Sequence, residues 1–175
     1  MTSRTRPPPS LHVTAFRAFV RASGLLRNVM TPYFAQFGLS GSQWGVLRAL
    51  DRAEAEGLRH LRLTDLGRRL LVRMPSVSGV VDRLARVGLV RRVRTASDRR
   101  EKGVVLTPAG RELVRRILRR HPAQIRNVLG GLDRGEVRRL QRLMERIAAH
   151  LETLTDARDE TSDDSKADQG TVNET

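Results

Sequence analysis

The sequence predicts a mainly α-helical fold with one small β-hairpin, an α+β architecture. Two observations carry this. Apolar side chains recur at helical spacing over most of residues 11–154, and one stretch, Leu89–Thr95, alternates with period two and is followed by a returning strand at Gly103–Thr107. A third observation places the hairpin directly after two short helices joined by a tight turn.

The elements follow in order. Leu11 to about Phe37 carries Leu11, Ala15, Phe19 and Ala22, then Leu25, Leu26, Val29 and Met30, at helical spacing. Pro32 is expected to kink or interrupt that helix, and Gly38 to stop it. Ser40 followed by Gln43 has the form of a capping box. It opens a helix with Trp44, Val46, Leu47 and Leu50 inward, followed by a polar connection over residues 51–60. Leu61–Leu63 reads as a short strand and Thr64 as the N-cap of a helix over about 65–72, with Asp65 in its first turn and Leu66, Leu70 and Leu71 buried. Arg73-Met74 reads as a tight turn. Pro75 then suits the first position of a helix that buries Val77, Val80 or Val81, Leu84 and Val87 and ends at Gly88. Leu89–Thr95 and Gly103–Thr107 form the hairpin, joined by the polar loop 96–102. Thr107-Pro108 starts a helix to about Leu129, with a bend expected at His121-Pro122. After Gly130-Gly131, Asp133 and Glu136 start a last helix with an apolar seam at Val137, Leu140, Leu143, Met144, Ile147, Leu151 and Leu154.

Charge narrows the function. The chain has 175 residues with 33 Lys+Arg against 19 Asp+Glu, a net charge of +14. Only two of the bases are Lys. Arg suits bidentate contact with phosphate and guanine, although a codon bias toward Arg explains the same excess. Residues 156–175 hold seven acids and two bases and read as a disordered acidic tail; residues 1–9 read as a short basic disordered arm. No cysteine is present, which removes disulfides, zinc–thiolate sites and thiol redox sensing. No apolar run approaches the ~18 residues of a membrane span, and no signal peptide opens the chain. A cytoplasmic protein with a polyanionic partner is expected. The four His are scattered, and no nucleotide-binding or hydrolase motif occurs, so neither metal, cofactor nor enzyme activity is expected.

The site predicted for that polyanion lies in the helix pair and hairpin. Ser76, Gly79, Arg83 and Arg86 form one stripe free of apolar side chains, with small residues near its start, which suits insertion into a DNA major groove. The hairpin tip is basic and can reach an adjacent minor groove. Residues 59–102 hold 13 bases and four acids.

The run LRLTDLGRRLLVRMPSVSGVVDRLARVGLVRRVRTASDRREKGVVLTPAG, residues 61–110, resembles the core of the MarR family of transcription regulators. The resemblance lies in the P-S-V-S start at Pro75–Ser78, the D-R-L…G-L-V run from Asp82 to Val90, the D-x-R of Asp98 and Arg100, and L-T-P-x-G from Leu106 to Gly110. The upstream GLSGSQWGVLRAL, Gly38–Leu50, resembles the family's second helix, and the likeness extends over roughly 11–154. It implies a winged helix-turn-helix over 38–107. Dimerisation helices over 10–37 and 108–155 flank it, and the arm 1–9 and tail 156–175 lie outside. It further implies a homodimer on a pseudopalindromic operator in double-stranded DNA, in many members a repressor released by a small aromatic or anionic ligand.

On this reading Ser76, Ser78 and Arg83 contact base edges and nearby phosphates. Gly79, where such proteins usually carry a larger polar or basic residue, offers only its backbone. Arg100 enters the minor groove or packs the wing root, with Asp98 holding an Arg in place. Arg94, Arg99 and Lys102 contact phosphate, Arg68, Arg69 and Arg73 approach the backbone near the turn, and Arg86 completes the helix stripe. All six aromatics lie between residues 16 and 44. The resemblance places a ligand pocket near that stretch, so Phe16, Phe19, Tyr33 and Trp44, with His12, are candidate pocket residues; packing of core and dimer seam is the alternative. Two other functions remain open at this point: a nonspecific architectural DNA binder, and a winged-helix module for an acidic protein partner.

Overall fold

A computed structural model describes residues 10–70, 74–94 and 102–167. The helices are α1 (Leu11–Ala35), α2 (Gly41–Ala55), α3 (Leu63–Leu70), α4 (Met74–Arg86), α5 (Pro108–Val128) and α6 (Arg134–Ala167); the strands are β1 (Leu61–Arg62), β2 (Val90–Arg94) and β3 (Lys102–Leu106). The chain divides into two compact units, residues 1–128 and 129–175.

In the first unit, α2, α3, α4 and α5 pack with the sheet around one core. Leu47, Leu66, Val81, Leu84, Val104, Val114 and Ile117 are fully buried there. Each such side chain contributes about 1.5–3 kcal/mol of transfer free energy. The sheet is antiparallel with β3 central, in the order β1-β3-β2. Leu61 faces Val104, and β2 pairs β3 from Val90↔Leu106 to Arg94↔Lys102.

The capping box at α2 forms as expected: the Ser40 N–H donates to Gln43 Oε1 at 2.8 Å and the Gln43 N–H to Ser40 Oγ at 3.2 Å. α4 ends at Gly88, whose φ of 73° is left-handed. The Leu89 N–H donates to Leu84 O at 2.9 Å and the Gly88 N–H to Ala85 O at 3.0 Å, a Schellman closure. Thr107 then joins three elements. Its hydroxyl donates to Gly88 O at 2.6 Å and accepts from the Gly110 N–H at 3.0 Å, while its N–H donates to Leu89 O at 3.1 Å. Gly110 is required by close approach: a Cβ there would lie 2.1 Å from Leu89 O.

Several local expectations are corrected. α1 is not interrupted at Pro32: the helix runs to Ala35, the proline forgoing one i→i−4 hydrogen bond while its neighbours keep theirs. α5 contains Pro122 inside one helix assignment, Pro108–Val128. α3 begins at Leu63, so Thr64 lies inside it, and the Asp65 carboxylate accepts the Arg62 N–H at 3.3 Å. Val87, expected inward, is 63% exposed, since it follows the last residue of α4.

The second unit holds α6, capped as expected: Asp133 Oδ1 accepts from the Gly135 and Glu136 N–H groups and Glu136 Oε2 from the Asp133 N–H. Its backbone stays helical to Ala167, through 156–167, where a disordered tail is expected. The arm 1–9, Leu71 and residues 168–175 lie outside the described residues.

Candidate nucleic-acid interface

α4 is amphipathic with a clean division. Val77, Val80, Val81 and Leu84 are buried against the core, while Ser76, Arg83 and Arg86 are exposed. Gly79 is half-buried, and the Arg83 guanidinium lies back along the helix, its Nη1 3.6 Å from where a Gly79 Cβ would stand. The stripe therefore offers a hydroxyl and two guanidinium groups, donors that suit phosphate and base-edge acceptors, with small Gly79 between them.

Ser78 differs from the expectation of a free reader. It is half-buried, and Arg92 of β2 donates through Nη2 to its Oγ at 3.3 Å and to Asp82 Oδ1 at 2.7 Å. Arg69 differs too. Its two terminal nitrogens donate to the Glu56 carboxylate at 3.1 and 2.6 Å, tying the end of α3 to the end of α2. This hydrogen bond, first among the causes, holds the Glu56 carboxyl below its ordinary 4.5. A guanidinium so engaged is a weaker phosphate ligand than its exposed neighbour Arg68. Arg94 and Lys102 face each other in the hairpin register. Arg73, Asp98, Arg99 and Arg100 lie outside the described residues, as do the side chains of Arg94 and Lys102.

The aromatic residues do not form the expected group. His12, Phe16 and Phe19 lie in the N-terminal half of α1, where every residue from 11 to 22 is exposed. Tyr33, Phe34, Phe37 and Trp44 cluster instead with His121 of α5; Phe34 stacks on Trp44 with ring centroids 5.7 Å apart, and His121 lies 5.5 Å from Trp44. A cavity of about 570 Å³ opens beside this cluster, between α2, α3 and α5. Trp44 lines it and Tyr33 does not; Arg48, Arg52, Glu56, Arg69 and His121 complete its polar wall. Burial, then the nearby Arg48, pushes the His121 imidazole below its ordinary 6.5.

A family model described as the MarR family matches residues 37–101. The HTH-type transcriptional repressor YetL of Bacillus subtilis (strain 168) is 30% identical over 137 residues, spanning 76% of this chain and 80% of YetL. This chain belongs to the MarR family of transcriptional regulators. Among solved structures, the MarR-family regulator AbsC of Streptomyces coelicolor superposes with a TM-score of 0.73 at 27% identity, over 85% of this chain and 99% of AbsC. Bordetella bronchiseptica BpsR superposes with a TM-score of 0.68 at 24% identity, over 77% and 98%, a likeness of fold alone; its structure concerns regulation of DNA binding by 6-hydroxynicotinic acid.

As a MarR-family member the chain is a DNA-binding transcription regulator and not an enzyme. Among the described residues, no helix is long and apolar enough to cross a membrane, and no group of three His, Asp or Glu is placed to hold a metal. Sequence reasoning overlooked Arg92 and the polar wall of the regulator's cavity. Opposite charges at Asp82 and Arg92 were the visible signal, but only the packing of β2 on α4 pairs them.

Proposed function

We propose that this MarR-family regulator is a sequence-specific, ligand-responsive repressor that works in the cytoplasm as a homodimer on a pseudopalindromic operator. The observation that carries the reading is the exposed stripe of α4, Ser76, Arg83 and Arg86 with Gly79 between them, set opposite a buried apolar face of Val77, Val80, Val81 and Leu84. A helix fixed in that way is a rigid reader, and rigidity is what lets a side chain discriminate between bases. The exposed, unpaired apolar residues of α1 and α6 support the dimer: Leu11 is 80% and Phe16 67% exposed on one helix, Leu151 52% and Leu154 51% on the other. Two reading helices about one DNA turn apart, roughly 34 Å, then address successive major grooves.

The cavity supports a ligand with a flat ring and an acidic group. Trp44 offers an aromatic face, and Arg48, Arg52 and His121 lie on the polar side, Arg48 paired with Asp51 at 2.6 Å and Arg52 within charge range of Glu56. Such a ligand acts by favouring one spacing of the reading helices over another, and ~1–3 kcal/mol of differential affinity is enough to change operator occupancy.

The test is selection of sites from random duplex DNA by the full-length protein, followed by titration of the enriched duplex against unrelated competitors. A twofold-symmetric site is expected, and Arg83→Ala should cost ~1–3 kcal/mol on it. Salt-sensitive binding with no enriched sequence would instead favour the architectural reading, and failure to bind duplex DNA would end both. Benzoate and 6-hydroxynicotinate should raise the melting temperature, whereas benzamide should not.

A further inference from the structure

The sequence counts Arg92 as one more cation in a basic segment, yet its environment gives it a different task. We propose that Arg92 is a positioning residue for base readout: from the wing strand it fixes the hydrogen-bonding polarity of Ser78 and cancels the Asp82 carboxylate beside the reading stripe. The inference rests on α4 being the base-reading helix.

The backbone of Arg92 is held by pairing with Val104 of the central strand, whose side chain is fully buried. Period two places Arg92 on the same face as Val90, 2% exposed, while Arg91 between them is exposed. Its guanidinium then meets two residues one helical turn apart on α4: Ser78 at 3.3 Å and Asp82 at 2.7 Å. A guanidinium can only donate. The Ser78 oxygen therefore accepts from Arg92, and the hydroxyl proton, with no other partner among the described residues, is left to donate. In the major groove that donor suits an acceptor, such as purine N7 or thymine O4, over the amino groups of cytosine and adenine. Without Arg92 the hydroxyl is free to rotate and serves either kind of edge. Asp82, its side chain 53% exposed and adjacent to Arg83, would then face the phosphates uncompensated.

The experiment uses full-length protein, the duplex that the wild type selects from a random library, and binding isotherms at several salt concentrations. Arg92→Ala should bind the selected duplex about tenfold more weakly, the scale of one lost base contact, and lose preference at one position per half-site. Its log-affinity against log-salt slope should stay that of the wild type. The double variant Asp82→Asn/Arg92→Ala should recover affinity but not the lost base preference. Arg92→Gln, which keeps the stem and an amide donor, carries the same comparison if the alanine variant does not fold. A slope shallower by about 0.9 per lost contact, with equal weakening on selected and random DNA, would make Arg92 a phosphate ligand and overturn the proposal. Unchanged affinity and preference would overturn it too. If the wild type enriches no site, the reading and the inference fall together; if it does, and the variants match it, only the inference falls.

Discussion

His121 shows how one side chain can set a pH response. Its ring lies 5.7 Å from Tyr33 and 5.5 Å from Trp44, and burial together with Arg48 depresses its basicity. Above its ordinary value of 6.5 the imidazole is neutral in both folded and unfolded chains, so it adds no pH dependence there. Below 6.5 the unfolded chain takes up a proton that the folded chain resists, so stability falls until the pH reaches the lowered folded value. Melting curves between pH 7.5 and 5 should show that decline, and His121→Gln should flatten it; an unflattened curve would assign the decline to other groups. Glu56, with its carboxyl held down by Arg69, acts in a lower window: its contribution is present above 4.5 and is lost as pH falls through the folded value. Gly110 is a second residue with a disproportionate effect. An added methyl meets Leu89 O, a backbone atom that cannot rotate away, so Gly110→Ala should cost at least ~1–3 kcal/mol in denaturant titration.

Among the elements, α4 depends on its inner face. Leu84→Ala removes a fully buried side chain and should cost ~2–5 kcal/mol, measured as a lower denaturation midpoint. Much of this level was legible in the sequence because caps and stops are local: Ser40 with Gln43, Gly88 with Leu89, Thr107 before Pro108 and Asp133 with Glu136 all act within a few residues. The outward stripe of α4 was legible for the same reason, since helical spacing fixes which residues share a face. The ion pairs were not. Glu56–Arg69 spans 13 positions and Glu54–Arg111 spans 57, and a chain with 33 bases for 19 acids offers many pairings that only packing can choose among. The structure separates the aromatic residues for a geometric reason. Phe16 and Tyr33 belong to one unbroken helix, whose rise of ~1.5 Å per residue separates them by roughly 25 Å. Closeness in sequence along a long helix is distance in space.

The whole molecule brings the two unpaired apolar helix faces and the net charge of +14 into play. In the proposed dimer the melting temperature should rise with protein concentration. Ile147→Glu, placing a charge on the α6 seam, should shift sedimentation toward the monomer and abolish operator binding with it; a dimer that survives would remove α6 from the interface. Contact with roughly 8 phosphates would give a log-affinity against log-salt slope near −7, so operator affinity should collapse within a few hundred millimolar salt.

The order of the small sheet has a consequence for solubility. β2 is an edge strand, and three of its five residues are arginine. An open strand edge ordinarily invites another copy to add itself rung by rung. Here a newcomer would meet the exposed Arg91 with its own like charge, the kind of edge charge that discourages such addition.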